Sequence, residues 1–253
     1  MTTVVLLPGV VNPGRLKFAP LLAELGSVRC EIKELELYAG ARVPADYSLA
    51  LEVEGLHRFV SERGLGRVHL FGYSIGGAIA LAYAAEHGDR VASMALDEPA
   101  TDFTDDDRRE LAGTWPAGLA DLPAEEQMAR FAETLVPPGV DFGPLPPLPP
   151  GPEMALRPAG VAAMLRTVGR ESVDEARLCA YAGPVYLCYG SLSGRRFASM
   201  AARMPGRFGR CTVERYEGRH HLDSPHQTEP ARVARALRAL WGQAEPTTDE
   251  NGL

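Results

Sequence analysis

Residues 68–83 read Val-His-Leu-Phe-Gly-Tyr-Ser-Ile-Gly-Gly-Ala-Ile-Ala-Leu-Ala-Tyr. A short apolar run, typical of a buried strand, is followed at once by an alanine-rich stretch that favours a helix. The turn between them places Gly72, Ser74 and Gly76 at the spacing of a nucleophile elbow. Because so tight a turn admits only very small residues two positions either side of the serine, we expect Ser74 to have a strained backbone and an exposed hydroxyl.

Five further runs with strand character surround this segment, and helical patterns alternate with them. This alternation predicts the α/β fold class, with a mostly parallel central sheet and helices on both faces. A helical repeat of apolar residues from Leu49 to Val60 begins behind Ser48, which we expect to cap that helix. Gly26 and Gly88 stand where two helices are expected to end with a left-handed cap. The predicted strands are residues 3–7, 28–37, 67–72, 91–96, 184–189 and 210–216.

The composition is that of a globular protein with a large core. With 253 residues, of which 45% are hydrophobic, the chain can bury one core and carry a modest insertion. Its net charge of −7 and pI near 5.4 leave no basic stripe for nucleic acid or for an anionic membrane surface. The expected partner is therefore a small-molecule substrate, and the sequence leaves the oligomeric state open.

The cysteines and the N-terminus carry no sign of a metal site or of a targeting segment. Cys30, Cys179, Cys188 and Cys211 are scattered without metal-ligand spacing, so we expect neither a metal nor another cofactor. No charged region followed by an apolar stretch opens the chain, and no apolar run reaches the roughly 18 residues of a membrane span. We therefore expect a cytoplasmic protein.

The alternation of strands and helices is interrupted between residues 100 and 182. Eight prolines within Pro137–Pro152 disfavour both strand and helix there, and helical patterns at Ala124–Leu135 and Val161–Val168 flank this stretch. We interpret the insertion as a lid, with a surface loop or linker as the alternative. The predicted domains are an α/β core at 1–99 and 183–242, a lid at 100–182 and a disordered tail at 243–253.

Two features of the insertion bear on ligands. Phe131, Met154 and Met164 fit either the apolar wall of a substrate pocket or the core of the insertion itself. Thr104 precedes three aspartates, which we interpret as a helix cap with acidic residues in the first turn rather than as a metal site.

A serine hydroxyl becomes a good nucleophile only beside a histidine base that an acid orients. His220 and His221 follow the last predicted strand in a loop that contains Gly218, where the carboxyl edge of the sheet is expected. We choose His221 as the base because the apolar Leu222 follows it, and His220 is the second choice.

Together these segments resemble the α/β-hydrolase superfamily over nearly the whole chain. The resemblance rests on residues 6–10 as the oxyanion loop, 72–77 as the elbow, 184–190 as the late strand and 218–221 as the histidine loop. It implies the α/β-hydrolase fold with the chain order serine, acid, histidine, and it also places the base at His221. The resemblance further implies an oxyanion hole made by the backbone N–H groups of Val10 and Ile75.

The sequence departs from the family pattern at two places. Pro8-Gly9 stands where many members carry His-Gly, which removes one side-chain hydrogen bond from the oxyanion loop. Ser193 stands three residues after Gly190, where the family usually carries the acid, and no acidic residue occurs between Gly190 and Glu214. The acid must therefore come from another segment or be absent.

Some family members carry the acid after the strand that follows the elbow helix, and here that strand ends in Asp97-Glu98. Neighbouring residues of an extended segment point to opposite sides, so at most one of the two should reach the histidine. We choose Glu98, with Asp97 second and Asp223 third. A serine–histidine pair without an acid is the remaining alternative.

The resemblance implies a serine hydrolase that forms an acyl-enzyme at Ser74 and cleaves a carboxylic ester, a thioester or a lactone of a small apolar substrate. A serine at the elbow argues against the dehalogenase and epoxide-hydrolase branches, which carry an aspartate there. Because a fold alone does not define an activity, the alternative is a non-hydrolytic member: a cyclase, lyase or ligand-binding protein for a natural-product intermediate.

Overall fold

Six parallel strands form one sheet in this computed structural model, which describes residues 2–101, 104–107, 109, 119, 122–143, 151–167 and 173–244. The order across the sheet is β2-β1-β3-β4-β5-β6, and every neighbouring pair is parallel. The strands are β1 (Thr3–Leu7), β2 (Arg29–Ile32), β3 (Val68–Tyr73), β4 (Val91–Asp97), β5 (Val185–Gly190) and β6 (Cys211–Tyr216). The predicted α/β class is confirmed, and each predicted strand is found.

The second strand is shorter than its predicted span of residues 28–37. After β2 the chain enters a 3-10 turn at Glu36–Tyr38. The buried carboxylate of Glu52 accepts hydrogen bonds from the backbone N–H groups of Glu36 and Leu37, at 2.9 and 3.4 Å. These bonds hold the turn and end the extended backbone.

Helices cover both faces of the sheet, as predicted. Alternate residues of β1 point to opposite faces: Val5 packs in one apolar cluster with α3, α4 and α9, and Val4 packs in another with α2 and α11. The helices are α1 (Gly14–Lys17), α2 (Ala19–Leu25), α3 (Leu49–Glu62), α4 (Ile75–His87), α5 (Ala124–Glu133), α6 (Pro152–Ala155), α7 (Arg157–Thr167), α8 (Glu175–Cys179), α9 (Arg195–Arg207), α10 (Pro225–Thr228) and α11 (Pro230–Ala244). None of the helices in the described ranges is long and apolar enough to cross a membrane.

Of the three helix caps predicted outside the insertion, two are found. The Ser48 hydroxyl accepts a hydrogen bond from the Leu51 N–H at 3.1 Å, which caps α3. Gly26 ends α2 with φ of 61°. The left-handed cap expected at Gly88 was wrong, because Gly88 has φ of −58° and continues into a right-handed 3-10 turn, Gly88–Arg90, that leads into β4.

The insertion between β4 and β5 contains α5 to α8. The two predicted helices are present as α5 and α7, although α7 begins at Arg157, four residues before its predicted start. Neither helix nor strand forms over residues 137–143, Pro152 begins α6, and residues 144–150 and Val168 lie outside the described ranges. The last helix, α11, extends to Ala244, two residues into the expected tail, whose residues 245–253 are also outside.

The side chains singled out in the insertion have structural contacts. Phe131 and Met164 belong to the main apolar cluster, so their interpretation as core residues of the insertion accounts for both. Met154 is also buried. The Thr104 hydroxyl accepts from the Asp107 N–H at 3.1 Å while the Asp107 carboxylate accepts from the Thr104 N–H at 2.9 Å. This reciprocal pair is the predicted helix cap.

Candidate active site

Ser74 lies on the turn between β3 and α4 with a strained backbone, as predicted. Its φ of 55° and ψ of −121° are rare for a residue with a side chain and cost of order 1–3 kcal/mol. The Ser74 N–H donates to the Asp97 carbonyl at 3.1 Å, and the Ser74 carbonyl accepts from the N–H groups of Gly77 and Ala100, both at 2.9 Å. These bonds hold the strained turn, and Ser74 is half-buried at the carboxyl end of β3.

The two glycines of the elbow are required by close backbone contacts. A Cβ atom on Gly72 would lie 2.4 Å from the Gly76 carbonyl oxygen, and a Cβ atom on Gly76 would lie 2.1 Å from the Leu7 carbonyl oxygen. Both distances are far below van der Waals contact. A side chain at either position would therefore force α4 away from β3 or from the end of β1.

His221 lies between Ser74 and Glu98. Its Nε2 is 3.2 Å from the Ser74 hydroxyl, and its Nδ1 is 2.7 Å from Glu98 Oε2. The imidazole is stacked between the rings of Tyr73 and Phe197, at centroid distances of 5.1 and 5.3 Å. Because His221 is 3% exposed and Glu98 is fully buried, packing holds both groups in the orientation that this hydrogen-bonded series needs.

Glu98 is anchored by the segment in which the family usually carries its acid. Its Oε1 accepts a hydrogen bond from the Gly190 N–H at 2.7 Å and another from the Ser193 hydroxyl. These donors turn the other carboxylate oxygen toward His221. In the sequence Ser193 only marks the position where the usual acid is missing, and its place three residues after Gly190 is the one sign there that it belongs to the site.

The loop after β1 passes against Ser74. A Cβ atom on Gly9 would lie 2.8 Å from the Tyr73 ring and 3.5 Å from Ser74 Cβ. Val10, the next residue, and Ile75, the first residue of α4, are each 3% exposed. Neither of their backbone N–H groups donates a hydrogen bond to another group in the described part of the chain. Two buried backbone donors are thus left beside the candidate nucleophile.

A sequence profile of the α/β-hydrolase fold matches residues 41–137, a range that contains the elbow and Glu98. The chain belongs to the α/β-hydrolase superfamily. Among solved structures of this fold, NosK from Streptomyces actuosus is similar to the chain with 25% sequence identity and a TM-score of 0.64. That alignment covers 96% of this chain and 98% of NosK.

Two esterases share the fold of this α/β-hydrolase at lower identity. A thermophilic esterase from Thermogutta terrifontis is 20% identical with a TM-score of 0.71, over 96% of this chain and 90% of the esterase. Carboxylesterase CesB from Bacillus subtilis is 17% identical with a TM-score of 0.71, over 94% of this chain and 83% of that one. No curated protein sequence matches the chain. The two esterases therefore establish a shared architecture.

The neighbouring acid of this α/β-hydrolase, Asp97, points away from His221. Its Oδ2 lies 2.6 Å from Nδ1 of His226, and both side chains are fully buried. Only one of the two adjacent acids thus reaches His221, as expected, although Glu98 follows the end of β4 with φ of 47° and so lacks the extended backbone that the expectation assumed. Burial raises the pKa of Asp97 to about 8 and lowers the pKa of His226 well below its usual range. The pair is therefore neutral at pH 7, and it was not predicted from the sequence.

Replacing Asp97 with asparagine is expected to change the pH dependence of stability. From about pH 4 to pH 8 the folded wild type keeps a proton on Asp97 that the unfolded chain has lost, so its stability falls as pH rises. Asparagine does not titrate. The unfolding free energy of the variant minus that of the wild type should therefore increase by about 1 kcal/mol for each unit by which the pH rises in this range. Urea denaturation at several pH values measures this difference. A difference independent of pH would show that folded Asp97 is ionised.

The second-choice base and the third-choice acid pair with each other. His220 Nδ1 accepts from the N–H groups of Leu222 and Asp223, at 3.2 and 3.3 Å, and Asp223 Oδ1 accepts from the His220 N–H at 2.5 Å. Together they cap the 3-10 turn His221–Asp223. Their hydrogen bonds give both residues a structural function in presenting His221.

Other features of the described residues lie away from this site. A surface cavity of about 610 Å³ is lined in part by Arg67, Gly183 and Arg210, which stand close before β3, β5 and β6. Ser74 and Glu98 lie at the opposite, carboxyl ends of the strands, so the cavity is remote from them. In the same ranges no three His, Cys, Asp or Glu side chains are gathered so that they could hold a metal ion.

Proposed function

We propose that this α/β-hydrolase is a serine hydrolase that cleaves a carboxylic ester, a thioester or a lactone of a small apolar substrate through an acyl-enzyme at Ser74. The observation that carries the proposal is the hydrogen-bonded series from the Ser74 hydroxyl through His221 to the buried Glu98 carboxylate. A serine activated in this way attacks acyl carbonyl groups.

In the first step the Ser74 hydroxyl attacks the substrate carbonyl carbon while His221 Nε2 takes its proton. Glu98 accepts from the Nδ1–H of His221, which keeps Nε2 free to accept this proton and stabilises the imidazolium that forms. The imidazolium then gives the proton to the departing alcohol or thiol, and the acyl group remains on Ser74. Water attacks the acyl-enzyme with His221 again as the base, which releases the acid and restores Ser74.

The negative charge of the tetrahedral intermediate needs donors that are already in place. We assign the backbone N–H groups of Val10 and Ile75 to this oxyanion hole, because both are buried beside Ser74 and neither is used elsewhere among the described residues. Ile75 also begins α4, so the helix dipole favours negative charge there. Removing one donor of an oxyanion hole costs about 2.7–4 kcal/mol in a serine protease.

We also propose that residues 100–182 form a lid over a core made of 1–99 and 183–242. The insertion leaves the core directly after Pro99, next to Glu98 at the carboxyl edge of the sheet. Within it, α7 packs against the 3-10 turn Glu36–Tyr38, which follows β2 at the same edge. A helical segment at this edge lies where a substrate approaching Ser74 would be enclosed.

A fluorophosphonate is expected to form one covalent adduct with the wild type and none with Ser74→Ala. An activated serine is phosphonylated quickly, whereas an ordinary serine is not. Intact mass spectrometry measures the adduct, and Ser61→Ala, at an exposed serine of α3, serves as the matched control that should keep it. If the folded wild type gives no adduct, the activated-serine proposal is wrong, and the non-hydrolytic alternative takes its place.

A further inference from the structure

Three segments of this α/β-hydrolase meet at the carbonyl oxygen of Val10. The Tyr38 hydroxyl donates to this oxygen at 2.7 Å, and Arg157 Nη1 donates to it at 3.4 Å. Val10 follows β1, Tyr38 ends the 3-10 turn after β2, and Arg157 is the first residue of α7 in the insertion. A residue of the proposed oxyanion hole is therefore bound by the insertion.

Arg157 is buried deeply for a charged side chain, with 2% exposure. Its guanidinium lies over the Tyr38 ring at 3.8 Å from the centroid, and its Nη2 is 3.6 Å from Glu34 Oε2. A buried cation is retained only where an opposite charge, an aromatic face or hydrogen-bond acceptors compensate its lost hydration. Here all three compensations come from residues beside the oxyanion loop, so Arg157 joins α7 to that loop.

The contact between α7 and Tyr38 is close enough to require a glycine. A Cβ atom on Gly160 would lie 2.3 Å from the Tyr38 hydroxyl oxygen. The Tyr38 ring is thus held between Arg157 and Gly160, one turn apart on the same helix. Burial raises the pKa of Tyr38 far above its usual range, so its hydroxyl keeps the proton that it donates to Val10.

We propose that Tyr38 and Arg157 are positioning residues that hold the Val10 carbonyl and thereby fix the Val10 backbone, so that the placement of α7 decides whether the Val10 N–H, on the adjoining Gly9–Val10 peptide, is aimed at the oxyanion. The inference rests on the proposed function. A donor stabilises the tetrahedral intermediate only when it is aimed beforehand at the place where the charge develops. Since that charge is absent from the bound substrate, loosening the backbone at Val10 lowers kcat and leaves KM nearly unchanged.

The test compares Tyr38→Phe and Arg157→Met with Arg166→Met, which removes an exposed arginine from the same helix. Tyr38→Phe deletes only the hydroxyl and keeps the ring under Arg157. It is expected to lower kcat for p-nitrophenyl butyrate, and the affinity for a trifluoromethyl ketone that mimics the tetrahedral intermediate, by roughly threefold to tenfold each. Arg157→Met is expected to lose at least as much, while KM and the Arg166→Met control stay within about twofold of the wild type.

The ketone separates positioning from a merely structural function, because only a misaimed donor lowers its affinity in step with kcat. Unchanged kcat and ketone affinity in both variants would overturn the inference, as would a raised KM with unchanged kcat, which would mean a direct substrate contact. If Arg157→Met does not fold, Tyr38→Phe decides alone. Fluorophosphonate labelling of the wild type keeps the two proposals distinguishable: labelling with unaffected variants overturns the inference alone, and no labelling overturns the proposed function and the inference with it.

Discussion

Replacing His221 with alanine is expected to lower kcat for ester hydrolysis by about 10⁶-fold, the size of the loss when a serine protease loses its catalytic base. In the wild type His221 Nε2 lies 3.2 Å from the Ser74 hydroxyl. Without it no described side chain is placed to take the serine proton, since Glu98 faces Nδ1 on the far side of the ring. Steady-state kinetics on a p-nitrophenyl ester measure the loss, with circular dichroism to establish folding.

The control is His220→Ala, which changes the neighbouring histidine. Because His220 caps the turn His221–Asp223, its loss is expected to cost about 1 kcal/mol of stability and to leave kcat within about tenfold of the wild type. The opposite ranking of the two variants would assign the base to His220 and contradict the proposed arrangement.

The sheet of this α/β-hydrolase could be predicted because each strand is an apolar run with clear ends. The errors lie where distant residues decide the backbone. The extended reading failed at residues 36 and 37 because the Glu52 carboxylate, 16 and 15 residues away, binds the N–H groups of the 3-10 turn. A local pattern does not contain that information.

The elbow could be predicted for a related reason. Gly72 and Gly76 lie within two residues of Ser74, so five consecutive positions contain the whole steric requirement that no Cβ atom fits two positions to either side of the serine. The positive φ of Ser74 follows from this tight turn. For the acid, a local rule limited the pair Asp97-Glu98 to one residue that could reach the histidine, and the choice of Glu98 came from its match to the alternative family position.

The partners of these acids could not be predicted, because the chain brings them together from far apart. Ser193 is 95 residues from Glu98, and His226 is 129 residues from Asp97. Arg157 was not singled out at all, since an arginine in a helical segment is ordinary until the fold places it under the Val10 carbonyl. Sequence reasoning thus found the reacting groups that a local motif marks, and the structure supplies the contacts that orient them.

Replacing Glu98 with glutamine is expected to lower kcat by about 10⁴-fold in a folded protein, the loss caused by the equivalent change in a serine protease. The Gly190 N–H and the Ser193 hydroxyl both donate to Oε1, so the amide oxygen of the new side chain must take that position. Its NH₂ group then faces His221 and donates to Nδ1. The imidazole proton is forced onto Nε2, where it points at Ser74 and blocks removal of the serine proton.

Asp97→Asn is the matched control, since it makes the same change in the adjacent and equally buried acid. The Asp97–His226 pair is neutral at pH 7, and an amide NH₂ can replace the carboxyl proton toward His226, so kcat should stay within about tenfold of the wild type.

The pH profile adds an independent check: because only Glu98 contacts the imidazole that must accept a proton, only Glu98→Gln should change the pH dependence of kcat below pH 8. If Glu98→Gln retained the wild-type kcat while Asp97→Asn lost activity, the acid that orients His221 would be Asp97. The hydrogen bonds to Glu98 Oε1 would then have only a structural function.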